Sequence, residues 1–353
     1  MTDTPGRSPV VKASRTSFAF ISWGAISGRS GEIAAALGGE AKCYYPAGNP
    51  KRPHVLIRYV LSAARTVAFM ISRRPEAVIV TNPPVFAGLV VYVCSKLTGS
   101  TVGLDSHPGS FGAQEDRVSA RLLPLHRWLV RRCGITLVTT EHWCDIVESW
   151  GGHPLIVHEA PGSWSPAQPP QPPESSERTR PRLFYVGRFA PDEPVEALIA
   201  AASAVPECDF YVTGRILDCP AALREHAPAN VHFTGFLHSG AYQRALADAD
   251  LVAALTTEPT SVMRAAYEAT YAGKPLIISD WPAGRELFPH ALHVENNAED
   301  IARAVRSATG DRRSLLARAM PAKETQLARW NAQEEALRAW IRDAGSRPAR
   351  PTS

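Results

Sequence analysis

Short apolar runs alternate along the chain with longer segments of helical spacing. The runs Ser17–Trp23 and Ala77–Pro84 have the length and composition of buried strands. A small-residue loop and an alanine-rich helix follow the first run, and residues 85–97 have helical spacing after the second. Further strands are predicted at 101–105, Ile135–Thr140 and Leu155–Pro161. This alternation predicts a parallel sheet of βαβ units in the first half of the chain.

The alternation resumes after a change of composition. Residues 163–181 are rich in proline and polar residues, which predicts a linker. Beyond it, six short apolar runs predict strands that begin near residues 182, 209, 231, 250, 275 and 291. A long helix is predicted at about 324–343. The chain therefore divides into two α/β domains of similar size, 17–162 and 182–322, and the cleft between their sheets is the expected ligand site.

The composition and charge of the chain indicate a globular protein with polar ends and argue against a nucleic-acid binder. Residues 1–16 and 345–353 are polar and are predicted to be disordered, and no apolar signal core is present at the start. A composition of 45% hydrophobic and 20% charged residues is that of a soluble globular protein. The net charge of +4 argues against a dedicated nucleic-acid binder. It divides unevenly, however, into +6 for residues 1–165 and −2 for the rest.

Metal binding and membrane spanning are not expected. The spacing of the six cysteines fits no zinc site, and they are predicted to be reduced and buried. The longest apolar stretch, 54–71, carries Arg58 and Arg65 in its interior, so no transmembrane helix is predicted. A cytoplasmic location follows as an expectation.

Residues Leu255–Asp280 carry the strongest functional pattern: a strand end, a loop, a helix, Gly-Lys-Pro and another strand. Ser261 is a candidate cap for the helix and Gly273 a candidate end. Arg264 and Glu268 lie four residues apart and share a helix face. The free N–H groups of a helix start suit a phosphate, so Thr260 and Ser261 are candidate donor contacts, and a carboxylate further along can hold a sugar diol.

This segment resembles the donor-site motif of retaining GT-B glycosyltransferases, particularly family 4. In that motif Glu-x7-Glu on a helix precedes Ala-x-Gly-x-Pro, and here Glu268 and residues 272–275 match its second half. The resemblance implies that Glu268 binds the nucleotide ribose. The family's first glutamate falls on Thr260, and Glu258 lies two positions early.

The start of the second domain resembles the same family. Gly187-Arg188 matches a Gly-Arg pair that approaches the donor diphosphate, with Arg188 in contact with it. The family's following lysine falls on Glu193. We hypothesise that Arg264 supplies the missing positive charge.

Two further glycine turns complete the donor side. Gly214 and Gly235 each follow an apolar run, and the resemblance places the nucleotide base near Gly235 and Phe236. An ordinary turn glycine is the alternative for each.

The first domain supplies the acceptor side. Gly28, Arg29 and Ser30 lie in the first strand-to-helix loop, which approaches the donor phosphates and the acceptor in GT-B enzymes. The Asn-Pro-Pro of residues 82–84, followed by Asp105-x-His107, resembles bacterial polysaccharide glycosyltransferases and the chitobiosyl-diphosphodolichol β-mannosyltransferases. A His and carboxylate pair suits deprotonation or positioning of an acceptor hydroxyl. A loop-capping aspartate and a structural histidine are the alternative.

The resemblance implies a GT-B fold of two Rossmann-like domains, with a C-terminal helix, 323–344, that crosses back to the first domain. It implies transfer of a hexosyl group from a nucleotide-diphosphate sugar to a hydroxyl acceptor, without a metal or cofactor. Arg188 and Arg264 would neutralise the leaving diphosphate. The acceptor, a glycan, lipid-linked glycan or natural product, stays open, as does retention or inversion. An epimerase, a phosphorylase and a non-catalytic nucleotide-sugar-binding partner are the alternatives.

The basic segment 120–132 raises the question of a membrane. It combines four arginines with leucines and Trp128, a pattern found in helices that lie on anionic membranes. A helix is predicted at 119–132, with Pro124 in its first turns. Peripheral contact at the inner face of the membrane is one expectation, and a packed helix with solvated arginines is the other.

Overall fold

The computed structural model describes residues 17–24, 28–45, 53–112, 117–162 and 180–346. The predicted disordered start, nearly all of the predicted linker 163–181 and most of the predicted tail 345–353 lie outside these residues. In the first half of the chain the strands are β1 (Phe18–Ser22), β2 (Glu40–Cys43), β3 (Ala77–Asn82), β4 (Thr101–Ser106), β5 (Ile135–Val138) and β6 (Pro154–Ile156). The helices are α1 (Gly28–Ala36), α2 (Pro53–Arg73), α3 (Val85–Thr98), α4 (Arg117–Val130) and α5 (Glu141–Ser149), with a short 3₁₀ helix at Pro108–Phe111.

The second half repeats this design. Its strands are β7 (Arg182–Val186), β8 (Asp209–Thr213), β9 (Val231–Gly235), β10 (Leu251–Ala254), β11 (Leu276–Ser279) and β12 (Leu292–Val294). Its helices are α6 (Val195–Ala204), α7 (Ala221–Glu225), α8 (Ser239–Asp248), α9 (Arg264–Tyr271), α10 (Pro282–Leu287), α11 (Ala298–Gly310) and α12 (Arg312–Ser346).

Each half forms one parallel sheet, as predicted, and each sheet has six strands, one more than predicted in the first half. The strand orders are β2-β1-β3-β4-β5-β6 and β12-β11-β10-β7-β8-β9, and every pairing between them is parallel. Central strands such as β1 and β10 are buried along their whole length because helices cover both faces of each sheet. The order reverses beside β1 and beside β7, which opens a crevice at the carboxyl edge of each sheet.

Two groups of helices cover the first sheet. Helices α2 to α5 pack on one face around Met70, Leu104 and Val147. Helix α1 covers the other face together with α12, whose Trp330 and Leu337 are buried against Phe18 and Phe20.

Helix α12 runs along both halves of the molecule. Near its middle the Arg329 guanidinium donates to the carbonyl of Leu287 at 3.0 Å, within the second half. Further on, the Trp340 ring lies where a Cβ on Gly103 or Gly134 would come within about 3 Å of it, so it rests on β4 and the start of β5. The helix begins twelve residues before the predicted start at residue 324, and it runs through Pro321.

Several local expectations are wrong. Pro124 lies in the interior of α4 and not in its first turns; the carbonyl of Ala120, which loses its helical partner, belongs to an exposed residue. Strand β6 ends at Ile156, five residues before the predicted end. The structure also contains β2 and α2, which the apolar pattern did not predict. Among the helices that the structure describes, none is long and apolar enough to cross a membrane.

Candidate active site between the two sheets

Hydrogen bonds join elements at the carboxyl edges of the two sheets. The Arg264 guanidinium on α9 donates to the Glu32 carboxylate on α1 at 2.7 Å. The Tyr271 hydroxyl donates to the carbonyl of Glu159 at 2.8 Å, and the Trp143 indole donates to the carbonyl of Thr260 at 3.2 Å. These contacts bring the start of α1, the end of β6 and the start of α9 to one cleft.

Arg264 is the central cation of the cleft. Its Nε donates to Glu268 Oε1 at 2.7 Å on its own helix, and its Nη1 lies 3.6 Å from Glu159 Oε2 across the cleft. A Cβ on Gly28 would lie 2.1 Å from Nη1, so the guanidinium rests directly on the start of α1. The three carboxylates raise the pKa of Arg264 although burial opposes them. Arg264 therefore joins the two sheets at the position where a helix start would otherwise attract an anion.

Arg29 forms a second cluster deeper in the first domain. It is 5% exposed, and its Nε lies 3.1 Å from Asp105 Oδ1 while its Nη1 lies 3.1 Å from Glu159 Oε1. Its Nη2 donates to the carbonyl of Val157 at 2.8 Å. Arg29 and Ser30 are in the first turn of α1 and not in the predicted loop, because the helix already begins at Gly28. Arg29 thus holds the ends of β4 and β6 together.

Asp105 and His107 lie together at the end of β4. His107 Nε2 is 3.2 Å from Asp105 Oδ2, and the His107 side chain is 38% exposed. Burial alone would raise the pKa of the Asp105 carboxyl, but Arg29 and His107 lower it to about 2. Asp105 is therefore ionised at neutral pH and is a weak proton acceptor, whereas the ring of His107 is reachable from the cleft.

Glu268 is buried and already holds two partners. Its Oε1 accepts from Arg264, and its Oε2 accepts from the Tyr242 hydroxyl at 2.5 Å. Burial, and then the Glu268 charge, hold the pKa of Tyr242 well above its usual value, so this hydroxyl keeps its proton. The carboxylate is thereby fixed in orientation next to Arg264.

The Gly-Arg loop after β7 is closed by the residue that replaces the family lysine. The Glu193 carboxylate, whose side chain is fully buried, accepts from the backbone N–H groups of Arg188 at 2.8 Å and Phe189 at 2.9 Å. Burial raises its pKa, and these hydrogen bonds work in the opposite direction. Phe189 has φ 60, a strained conformation for a residue with a side chain. Glu193 therefore stabilises the turn, and the Arg188 side chain is 79% exposed.

A side chain is excluded at three glycines of this region, either by steric clash or by the backbone conformation. A Cβ on Gly187 would lie 2.4 Å from the Tyr185 ring. Gly214 and Gly235 have φ 142 and φ 71, and the Gly214 N–H donates to the carbonyl of Gly235 at 3.3 Å. The two turns thus lie side by side, with the exposed ring of Phe236 next to them.

The predicted helix start at Thr260 and Ser261 is wrong. Helix α9 begins at Arg264 after the extended residue Met263, and it has no side-chain cap. The Ser261 N–H instead donates back to the carbonyl of Glu258 at 3.2 Å, which closes a turn and delays the helix. Gly273, with φ 64, follows the last helical turn as predicted.

Sequence reasoning missed three acidic or phenolic members of the cleft: Glu32, Glu159 and Tyr242. Glu159 lies inside the predicted strand Leu155–Pro161, near its carboxyl end, and that end of a parallel strand marks the ligand edge of the sheet, so this signal was available. The pairing of Glu32 with Arg264 spans 232 residues, and no local pattern reports it. In all, the two cleft arginines face four carboxylates: Glu32, Asp105, Glu159 and Glu268.

In the part of the chain that the structure describes, no group of three or more His, Cys, Asp or Glu side chains is arranged to hold a metal ion. Asp250, in the Asp-x-Asp string 248–250, accepts from the N–H of Arg182 at 2.9 Å and pairs with Arg312. It has a structural role at the edge of β10.

Comparison with known proteins agrees with this architecture. Residues 180–311 match the family described as Glycosyl transferases group 1. No protein of curated function matches the chain by sequence. The family match covers the second half of the molecule, including the Gly-Arg loop, α9 and the turn at Gly273.

Solved structures resemble the whole chain. Sucrose-phosphate synthase from Thermosynechococcus elongatus has a TM-score of 0.67 at 16% identity, over 92% of this chain and 98% of that one. Anabaena HepE, solved in complex with UDP and glucose, has a TM-score of 0.66 at 13% identity, over 92% and 99%. A trehalose-phosphate synthase from Burkholderia xenovorans has a TM-score of 0.60 at 13% identity, over 94% and 100%. The fold of the whole chain is therefore the GT-B fold.

Proposed function

We propose that this GT-B glycosyltransferase moves a hexosyl group from a nucleotide-diphosphate sugar to a hydroxyl acceptor, without a metal ion. The observation that carries the proposal is the position of α9. This helix belongs to the part of the chain that matches the glycosyltransferase family, and it directs Arg264 and Glu268 into the cleft opposite Arg29, Asp105 and His107.

The second domain would hold the donor. Arg264 is the cation for the diphosphate, and the exposed Arg188 side chain can reach over the same site from its loop. Glu268, fixed by Tyr242, accepts from the ribose hydroxyls. The turns at Gly214 and Gly235 and the ring of Phe236 offer a backbone edge and an apolar face for the base. The UDP-glucose complex of the similar Anabaena protein supports a donor of this class.

Donor binding would exchange the partners of Arg264. In the structure its guanidinium is paired with Glu32 and lies near Glu159. A diphosphate carries more negative charge than a carboxylate and accepts bidentate hydrogen bonds, so it can replace Glu32 as the partner. Gly28, on which the guanidinium rests, then leaves room for the phosphate at the start of α1. Ser30, in the same turn, is buried and belongs to this first-domain wall of the donor site.

The first domain would hold the acceptor. The Asp105 carboxylate, kept ionised by Arg29, orients His107 through their 3.2 Å contact. The acceptor hydroxyl oxygen forms the new bond to the anomeric carbon, the bond from that carbon to the diphosphate oxygen breaks, and the diphosphate leaves with the electron pair. Arg264 and Arg188 stabilise the charge that develops on it. Positioning of the two substrates supplies the rest of the rate enhancement.

Transfer assays with a panel of nucleotide sugars and hydroxyl acceptors test the proposal. We expect product with at least one donor, with undiminished activity in EDTA. The NMR signal of the product anomer then assigns His107: inversion makes it the base that takes the hydroxyl proton, and retention makes it a group that positions the hydroxyl while the departing diphosphate oxygen takes the proton. Transfer that requires a divalent ion contradicts the metal-free mechanism.

A second function, nucleotide-sugar binding without transfer, is motivated by two departures from the family pattern. Thr260 replaces one family glutamate, and Glu193 replaces the family lysine. Donor binding with neither transfer nor hydrolysis would support it. Conversion of donor without an acceptor would indicate an epimerase, and turnover that depends on phosphate would indicate a phosphorylase.

A further inference from the structure

One face of the first domain carries exposed apolar side chains. On α2, the side chains of Leu56, Ile57 and Val60 are each more than half exposed. The opposite side of the same helix buries Ser62 and Thr66. The Ser62 hydroxyl donates to the carbonyl of Tyr44, and the Thr66 hydroxyl accepts from the Trp23 indole. The inner side also buries Phe69 and Met70, so the unusual feature of α2 is its outer side, where a helix that faces only water would carry polar side chains.

The neighbouring helix extends the same surface. Helices α2, α3 and α4 lie side by side on one face of the sheet, and Val93 and Leu97 on α3 are also more than half exposed. Trp128 on α4 packs edge-on against Tyr92 of α3 at 5.1 Å and is itself exposed. Of the thirteen large hydrophobic residues that are exposed in the described part of the chain, ten belong to the first domain. An apolar surface of this extent marks an interaction site.

The charge of this face is entirely positive. The three helices α2, α3 and α4 contain no Asp or Glu, and they carry the basic residues Arg58, Arg65, Arg73, Lys96, Arg117, Arg121 and Arg127. Lys96 lies over the Tyr92 ring, and Arg132 lies over the Trp128 ring. Basic groups at the rim of an apolar face complement a negatively charged surface that also offers hydrocarbon.

We propose that the α2–α3–α4 face of the first domain docks on an anionic lipid bilayer. The apolar side chains of α2 and α3 would enter the headgroup region, and the arginines of α4 would contact lipid phosphates. The segment 120–132, which the sequence singled out, therefore supplies charge and Trp128, whereas Leu122 and Leu125 pack against the core. A second copy of the chain fits this face less well, since a two-fold contact would place basic residues against basic residues.

The docked face begins beside the acceptor side of the cleft. Helix α3 starts at Val85, three residues after Asn82, whose carbonyl accepts from the His107 N–H at 2.9 Å. Tyr59 of α2 lies 6.1 Å from Phe86 at that same end. A bilayer on this face would present a lipid-borne hydroxyl next to His107; this consequence rests on the proposed function, and docking itself does not.

Vesicle flotation of the whole chain tests the docking. We expect the wild type to bind phosphatidylcholine vesicles containing phosphatidylglycerol about tenfold more tightly than vesicles of phosphatidylcholine alone, and added salt to reduce that difference. The double variant Ile57→Gln/Val60→Gln should bind both vesicles roughly tenfold more weakly than the wild type. Arg65→Gln/Arg127→Gln should lose only the preference for the anionic vesicles.

Leu217→Gln is the matched control, because Leu217 is an exposed apolar residue of the second domain, away from this face. It should float like the wild type, and all variants should keep the wild-type melting temperature, since the changed side chains are exposed. A wild type that does not float overturns the proposal, and so does an Ile57→Gln/Val60→Gln variant that floats as well as the wild type. A dimer in sedimentation velocity that this variant abolishes would assign the face to a second copy. The assay uses neither donor nor acceptor, so its failure leaves the proposed transfer reaction untouched.

Discussion

Arg264 forms ion pairs with carboxylates of both domains. These carboxylates would compete with the donor diphosphate for Arg264, and this competition can be measured. Glu32→Gln removes one carboxylate partner and one negative charge from the expected diphosphate position. We expect this variant to bind nucleoside diphosphates about tenfold more tightly, because Coulomb interactions at this range amount to roughly 1–2 kcal/mol. Isothermal titration measures the Kd. Glu335→Gln, an exposed pair on α12, is the control and should leave the Kd unchanged. Weaker binding in Glu32→Gln would show that Arg264 does not serve the diphosphate.

Glu193 is a second single residue with a measurable effect, because it stabilises the Gly-Arg loop. Its carboxylate accepts from consecutive backbone N–H groups of the Gly-Arg loop. Glu193→Lys, which restores the family residue type, should therefore destabilise the protein by about 1–3 kcal/mol, because it leaves buried donors without an acceptor. Urea unfolding measures the loss. Equal stability of variant and wild type would mean that the loop does not depend on this side chain.

At the scale of elements, the start of α1 tests the contact between the two domains. A methyl group on Gly28 would lie 2.1 Å from the Arg264 guanidinium, whereas a Cβ on Gly31 of the same helix meets nothing within 4 Å. Gly28→Ala should lower kcat/KM at least tenfold, about 1.4 kcal/mol, through displacement of Arg264. Gly31→Ala should keep the activity and stabilise the helix by roughly 0.5–1 kcal/mol. Kinetic assays and thermal melts of the pair check both statements. Full activity in Gly28→Ala would show that turnover does not depend on Arg264 in this position.

The elements differ in how well the sequence predicts them. The strands β1 and β3 contain continuous apolar runs because both faces of the sheet are covered, and their prediction, like that of β4, is confirmed. Helix α2 was not predicted, although its residues have amphipathic helical spacing, because the apolar stretch 54–71 was considered only as a possible membrane span. Helix α9 was placed three residues too early, because the turn that delays it depends on a backbone hydrogen bond and not on a side-chain cap.

The site shows the same division. The motif around Glu268 and the pair Asp105 and His107 could be located by their places after predicted strands and in a family pattern. The surroundings of these residues could not be predicted, because Glu32 and Glu159 contact Arg264 only through the packing of the two domains against each other.

At the scale of the whole molecule, buried histidines set the response to acid. His126, His158 and His290 lie in the first domain, at the cleft and in the second domain, and burial lowers their pKa values to about 4, 3 and 4. Their unfolded pKa is near 6.5, so below that pH the unfolded chain binds protons that the folded chain does not. Stability should therefore fall as the pH drops from about 6.5 towards 4, by about 2 kcal/mol at pH 5 for each of His126 and His158, and by less for the partly exposed His290.

Urea unfolding at pH 7 and pH 5 checks this dependence. His126→Gln should reduce the slope of stability against pH, and the exposed His226→Gln should not. Asp105 adds a separate loss of stability at lower pH, between about 4 and 2. In that range the Asp105 carboxylate takes up a proton and its ion pair with Arg29 is lost. Stability that is constant down to pH 5 would contradict the buried, neutral state of these rings.

The two facing domains form a donor site only if Arg264 binds a diphosphate in the cleft, and ligand-induced thermal stabilisation measures this most directly. Wild type and Arg264→Gln are melted with and without a panel of nucleoside diphosphates and their sugars, each variant against its own ligand-free baseline. At a ligand concentration of about 100 times Kd, binding adds roughly 2.7 kcal/mol of stability. We predict a rise in Tm of several degrees for the wild type with at least one nucleotide, and little or no rise for Arg264→Gln. No rise with any nucleotide, or the same rise in both proteins, would contradict the account.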